Sequence, residues 1–409
     1  MQAERETLKR GRLNVTLLVV ILVLAAVGLT MVFSAGSYTS QDQGGSALAP
    51  LVSQGVFMIM GIVALVFLSF VDYNLYRSPL IIYGLLFISI FLLGIVWIPG
   101  IGQYINGSRR WILIPGIGVT IQPGELAKFP LMIYIAHMLT RKTKDQDFPK
   151  KTALPVLIVC GMMFVFVMLQ PNLSTAGCLA IATLVMLSIG GMNWKHTLIL
   201  VALGLIGGTV LALTSEYRRD RIIGFMDPWG MSGDEAYQLT QSLLAIASGG
   251  LFGVGIGQSR QKLLFLPYCD SDFIFAIVCE ELGLVGAALI LALFGLLIFT
   301  GFKVALRCRD RFGSMLAAGI SVVFAVQVIL NVAVVIGAFP TTGLPLPFFS
   351  SGGSNLIIFM AGAGILLNIS RYANQPVEDI KSGKDDEKSG KGGKQKLPDN
   401  VRSFRSASR

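Results

Sequence analysis

The chain has 409 residues, 54% of them hydrophobic and only 14% charged, with a formal net charge of +10 and a mean hydropathy of +0.70. Soluble domains carry about 25% charged residues, so this composition excludes a large soluble protein and describes an integral membrane one. Its apolar runs are continuous rather than alternating, which excludes a transmembrane barrel. The positive charge lies largely in short loops and the tail, with no basic helix interleaved with stacking aromatics, so nucleic acid is excluded as a partner.

Hydropathy predicts an all-α polytopic membrane protein of about ten transmembrane helices. They fall near 14–34, 52–71, 79–98, 124–140, 153–170, 174–191, 196–214, 273–301, 313–337 and 353–370. Lys9, Arg10 and Arg12 precede the first run. That run exceeds the about 7–15 residues of a signal-peptide core, so residues 1–13 read as a cytoplasmic N-terminus followed by an uncleaved span. Arg141, Lys142, Lys144, Lys150 and Lys151 share a side with the Lys303–Arg311 loop and with Lys381, Lys384 and Lys388 of the tail. Both termini are therefore expected in the cytoplasm. The opposite face carries loops near 99–123 and 338–352 and a large extracytoplasmic one near 215–272, between spans seven and eight. Residues 14–371 make one membrane domain. Residues 372–409, rich in Lys, Ser, Gly and Asp, read as a disordered basic cytoplasmic tail suited to anionic lipid. Five scattered cysteines (Cys160, Cys178, Cys269, Cys279, Cys308) show neither metal spacing nor a disulfide framework.

Four constellations carry chemistry. In the first, Asn106-Gly107 signals a turn before Arg109, Arg110 and Trp111, and Pro123 suits a helix start. Glu125 and Lys128 lie three apart on one helical face; they either neutralise each other or, with the arginines, cradle phosphate. In the second, Arg218, Arg219 and Arg221 precede Pro228-Trp229 and suit a headgroup site, although a solvated charge run reads as well. The glycines from Gly249 to Gly257 lack the strand and the Gly-Lys-Ser/Thr ending of a nucleotide loop, and read as close backbone packing or a re-entrant turn.

The third is Asp272, a carboxylate left at the membrane edge where a polar loop enters an apolar helix. Ionisable groups there are costly and mark function by default, though capping the helix start is an ordinary job for aspartate. Glu280 and Glu281 follow about 12 Å deeper along the helix, so they cannot share a reacting atom with Asp272 and suit structure or a cation. In the fourth, Asn331 precedes the Pro340–Ser354 segment, whose three prolines break helix. It reads either as a loop lining a cavity, with hydroxyls such as that of Ser354 for sugar or phosphate oxygens, or as a rigid connector.

Together these segments resemble the SEDS family of bacterial cell-wall proteins (shape, elongation, division and sporulation) over nearly all ten helices. The resemblance rests on Asn106-Gly107 with Arg110-Trp111, Gln122-Pro123 with Glu125-Leu126-Ala127-Lys128, and Gln170-Pro171-Asn172-Leu173-Ser174-Thr175. Further pieces are Leu266-Pro267 with Asp272-Phe273-Ile274-Phe275-Ala276 and Glu280-Glu281-Leu282-Gly283, and Pro340-Thr341-Thr342-Gly343-Leu344-Pro345. Gln258–Lys262 and Leu367–Arg371 look more like the division branch than the elongation branch, with sporulation open. The resemblance implies a peptidoglycan glycosyltransferase polymerising lipid II on the outer face of the bacterial cytoplasmic membrane. Asp272 would be the general base, and release of undecaprenyl pyrophosphate would invert the anomeric carbon. Arg110 and Lys128, and secondarily Arg218 and Arg221, would hold pyrophosphate charge, with Glu125, Lys262 and Ser354 as further substrate-binding candidates. A divalent cation (Mg2+ or Mn2+) would assist, with Glu280 and Glu281 as weak ligand candidates and no organic cofactor. Partners would be a class B penicillin-binding protein and other division membrane proteins at the septum. Tyr268, Asp270, Ser271, Asn172 and Ser351 depart from the family pattern, Tyr268 by removing a usual glutamate. Two rivals remain: a transporter of lipid II or another anion, and a non-catalytic division scaffold.

Overall fold

The computed structural model describes residues 11–98, 100–105, 108–113, 120–141, 148–213, 216–230 and 233–373. A helix stands on each of the ten predicted apolar stretches: α1 (Val15–Asp42), α2 (Ala49–Phe70), α3 (Pro79–Ile95), α4 (Pro123–Thr140), α5 (Leu154–Leu169), α6 (Leu173–Ile189), α7 (Trp194–Leu213), α10 (Ile274–Arg307), α11 (Arg311–Val335) and α12 (Gly353–Ala373). Among the described residues, six helices are long and apolar enough to cross a membrane: α1, α2, α5 with the turn before it, α10, α11 and α12. Helices α3, α6 and α7 are apolar but shorter. Proline sits in the first turn of α2, α3, α4 and α5, where its missing N–H costs nothing. The outward faces are apolar as well, with Leu80 84% and Phe87 69% exposed, as in helices that meet hydrocarbon rather than water.

Two parts of the loop regions differ from expectation. The all-α reading fails between residues 102 and 121, where the described residues form an antiparallel three-stranded sheet in the order β1 (Gly102–Ile105), β2 (Ser108–Leu113), β3 (Thr120–Ile121). β-branched and aromatic residues flank the Asn-Gly step, a hairpin signal that outweighs the charge of Arg109 and Arg110. Residues 106 and 107 themselves lie outside the described residues, as do Lys142, Lys144 and the tail from residue 374. The long loop contains two helices, α8 (Glu216–Met226) and α9 (Asp234–Gly249). Ala236, Leu239, Ser242 and Ala245 recur every third residue along α9 and are all buried, and Ser242 Oγ donates to the Val335 carbonyl at 2.8 Å. That stripe is the buried face of α9, and the Ser242 bond ties it to the end of α11.

Helix α10 is broken. Gly283 has φ 68° with ψ −172°, a combination essentially confined to glycine, and the segment after α9 threads into the break. Val254 and Gly255 N–H groups donate to the Glu280 and Glu281 carbonyls at 3.0 and 3.1 Å, while Leu284 and Val285 donate to the Gly250 and Leu251 carbonyls at 2.9 and 3.1 Å. Four backbone groups at the interruption, the Glu280 and Glu281 carbonyls and the Leu284 and Val285 amides, thus find partners, as irregular backbone at membrane depth requires. A side chain on Gly249 or Gly253 would collide with the Cys279 or Glu281 carbonyl, so the glycine run provides the close packing its composition suggests.

At one end of the bundle, Gly11 N donates to the Arg371 carbonyl (3.0 Å) and Tyr73 N to Asn368 Oδ1 (3.0 Å), joining both ends of the described chain. At the other end, Gln54 Nε2 donates to the Ser350 carbonyl at 3.0 Å, under the segment that carries Asp272.

Candidate functional site

The segment from Tyr268 to Phe273 enters α10 as a tight turn, with Tyr268 at φ 55° and its carbonyl accepting from Ser271 N (3.1 Å) and Phe273 N (3.2 Å). Three successive carbonyls then anchor it to α11 and the proline-rich loop. Ser351 N donates to Asp270 O (2.9 Å), Ser350 Oγ to Ser271 O (3.0 Å) and Asn331 Nδ2 to Asp272 O (2.8 Å). Held this way, Asp272 does not cap α10: the cap position is Phe273, without a side-chain hydrogen bond. Its carboxylate is free of that structural duty.

The proline-rich loop is the opposite wall. Gln327 Nε2 donates to Pro345 O (2.8 Å) and Asn331 Nδ2 to Leu344 O (2.7 Å), so two amides four apart on α11 grip consecutive loop carbonyls. They bring Gly343 against the base candidate. A Cβ there would lie 3.1 Å from Asp272 Oδ2 and 3.9 Å from Arg110 Nη1, so glycine leaves open the space beside both the carboxylate and the guanidinium. Arg110 projects from β2, and its Nε donates to the Gln170 carbonyl at 3.2 Å and Nη2 to the Pro171 carbonyl. Burial pushes the Asp272 carboxyl up from 3.8 to about 7; Arg110 opposes the rise, Asp270 adds to it, Arg221 opposes and Glu125 adds. The residue as a whole keeps part of its surface exposed. A carboxylate near neutrality, reachable from outside and flanked by cations, can take a proton from a hydroxyl beside an anionic leaving group.

The other expected residues are placed as follows. Glu125 and Lys128 are 0% and 1% exposed, inside α4. Lys128 Nζ donates to Glu125 Oε1 (2.6 Å), Glu125 Oε2 (2.7 Å) and Gln327 Oε1 (2.6 Å), and Thr175 Oγ1 donates to Glu125 Oε1 (3.3 Å). The pair shares Gln327 with the proline-rich loop and so braces the wall beside Asp272. Lys262 is buried against Glu281 (2.9 Å) and Ser34 Oγ (3.0 Å), and Ser34 also donates to both Glu281 oxygens. Glu280 accepts from Ser259 Oγ, Arg260 N (2.9 Å) and Gln261 N (3.4 Å). Both glutamates thus lock the 259–262 turn onto the helix break. Arg221 stands on α8 within electrostatic reach of Asp272; the Arg218 side chain lies outside the described residues. Ser354 is half-buried in the first turn of α12. Among the described residues no group of three His, Cys, Asp or Glu side chains is arranged to hold a metal ion. The Glu280 and Glu281 oxygens are occupied by protein donors, so they do not fit that part.

Two residues that support the site, Ser34 and Gln327, escaped the sequence reading, and Gly343 was legible only as part of the proline-rich motif, not as the neighbour of Asp272. Gln327 had a signal, a lone amide in an apolar helix four residues before Asn331. Ser34 had none, because its partners lie 228 and 247 positions away.

The family model FTSW_RODA_SPOVE, described as cell cycle protein, matches residues 14–375. Stage V sporulation protein E of Bacillus subtilis is 38% identical over 368 residues, covering 90% of this chain and 99% of that protein. The probable peptidoglycan glycosyltransferase FtsW of Geobacter sulfurreducens is 35% identical over 362 residues, covering 88% of this chain and 95% of that one. Among solved structures, one reported as the structural coordination of polymerization and crosslinking by a peptidoglycan synthase complex superposes with a TM-score of 0.73 at 28% identity, covering 89% and 99% of the two chains. The rod shape determining protein RodA of Thermus thermophilus superposes at 0.65, also at 28% identity, covering 89% and 98%.

Proposed function

The chain belongs to the FtsW, RodA and SpoVE family of multi-pass membrane proteins, and on that premise we propose that it polymerises lipid II into glycan strands on the outer face of the bacterial cytoplasmic membrane. The observation that carries the reading is the Asp272 carboxylate, raised to about 7 and flanked by Arg110. In the reaction, an acceptor sugar hydroxyl attacks the donor's anomeric carbon and gives its proton to Asp272. The bond to pyrophosphate breaks as the glycosidic bond forms, so configuration inverts. Arg110, with Arg221 and Arg218 as secondary contributors, offsets the charge that grows on the leaving pyrophosphate. Lys128, Glu125 and Lys262 act on substrate through the walls they brace, and Ser354, in the first turn of α12, is a further candidate to hold a substrate oxygen.

The reading includes ten spans with both termini cytoplasmic, supported by the positive charge at the end of the bundle where Gly11 meets Arg371. A class B penicillin-binding protein is the proposed partner, supported by the synthase complex among the structural relatives. The test is polymerisation of purified lipid II by this protein co-purified with that partner, its transpeptidase serine disabled. Polymer from wild type and none from a folded Asp272→Asn variant is the expected result; polymer from both removes Asp272 as base. A broken helix is also found in secondary transporters. Here its backbone groups and both glutamates are taken by protein, and lipid II flipping in proteoliposomes without polymer is the result that would favour transport.

Within the family we assign the chain to division, from Gln258–Lys262 and Leu367–Arg371; the sporulation relative makes that branch the competitor. Depletion in growing cells separates them: filaments without septa for division, normal growth with defective spores for sporulation.

A further inference from the structure

The far end of α10, away from Asp272, borders a cavity of about 350 Å3 between that helix and the start of α1. Val15, Leu296 and Phe299 make an apolar wall, and Thr16, Lys303 and Arg307 a polar end. Lys303 and Arg307 are four apart and exposed, so their charges stack on one face of the last turns of α10. Among the described residues, no acidic side chain lines the cavity or stands in the first turn of α1. That helix, capped by Asn14, begins here and points its positive end at the same place. The apolar wall continues into surface facing hydrocarbon: Val15 is 66% and Phe299 64% exposed.

We propose that this cavity binds one anionic phospholipid, its phosphate between Lys303, Arg307 and the start of α1, and an acyl chain along Val15, Leu296 and Phe299. The inference rests on α1 and α10 being membrane spans and is independent of glycosyl transfer. A zwitterionic lipid would bring a cation next to two fixed cations, and a free phosphate would leave the apolar wall unused; an anionic lipid satisfies both parts. The lipid would bridge the two helices that also meet deeper down, where Ser34 of α1 donates to Glu281 of α10.

Native mass spectrometry of the full-length protein, titrated with phosphatidylglycerol or phosphatidylcholine of equal chain length, tests this. Wild type is expected to retain phosphatidylglycerol preferentially. At about 1 kcal/mol per basic residue near a membrane surface, the Lys303→Gln, Arg307→Gln double variant weakens the tightest binding step about 30-fold. Thr16→Trp, which fills the cavity without changing charge, weakens it too, while Lys195→Gln, an exposed basic residue at the start of α7, leaves it intact. Unchanged retention by the double variant overturns the proposal. So does displacement of the lipid by millimolar inorganic phosphate together with no effect of Thr16→Trp, which would make it an ion site.

Discussion

At the scale of single residues, the chemistry turns on one carboxyl group. Because burial raises Asp272 to about 7, a base in that position is half-ionised near neutrality. kcat/KM for polymerisation is therefore expected to rise with pH and level off above an acid limb near pH 7. Arg110 pulls in the opposite direction, so Arg110→Gln moves the limb to higher pH and lowers turnover at pH 7 by about 100-fold; an unmoved limb would mean that the guanidinium does not act on Asp272. Stability has its own sign. The folded-state value lies above the ordinary 3.8, so the group's contribution is complete below 3.8 and is lost as pH rises through about 7. Asp272→Asn removes the buried charge, and its gain in melting temperature over wild type is expected to be larger at pH 8 than at pH 5. A pH-independent difference in detergent-solubilised protein would contradict that account. The aspartate itself was legible in the sequence, as a charge at a membrane edge. Its setting was not, since Gly343 and the carbonyl grips of Ser350 and Asn331 come from segments about 60 to 80 positions away.

At the scale of elements, the ten apolar stretches announced their helices because about 20 continuous apolar residues leave little else to form in lipid. The break in α10 gave no such sign. Gly283 sits in an apolar run that hydropathy averages into one long helix, and only its φ of 68° and the inserted 250–255 backbone reveal two. The sheet at 102–121 was hidden for the converse reason: its arginines read as a loop, while the pairing that makes it is between strands. The break yields a prediction. Gly283→Ala forces a left-handed backbone on a residue with a Cβ and drives that atom into the Gly253 amide, a loss of roughly 2–4 kcal/mol. Gly295→Ala, with nothing within 4 Å of its Cβ in the same helix, is neutral or stabilising. Thermal unfolding in detergent compares them. Equal melting temperatures would show that the break carries no stability.

For the molecule as a whole, lipid offers no hydrophobic drive between helices, so association depends on close contact and on polar clasps. The packing of α2 on α12 uses both. A Cβ on Gly61 would lie 3.0 Å from Met360 and one on Gly364 2.6 Å from the Leu65 carbonyl, so backbones approach where side chains are missing. Each end is then pinned: near Asp272 by Gln54 on the Ser350 carbonyl, at the far end by Asn368, which donates to Ser69 O (2.9 Å) and accepts from Tyr73 N (3.0 Å). Asn368 is fully buried, so Asn368→Leu strands a backbone carbonyl and a backbone N–H without water, at about 1–3 kcal/mol each. The two clasps belong to different functions. Losing the far one should lower the melting temperature while leaving the acid limb of the reaction in place, because none of the bonds that hold Asp272 passes through it. Gln54→Leu loosens the Ser350 anchor, and Ser350 holds Ser271, so it should reduce turnover at temperatures where the protein is still folded. Measuring turnover and melting temperature for both variants separates the roles; a loss of turnover in folded Asn368→Leu would mean that the far end of the bundle governs the site.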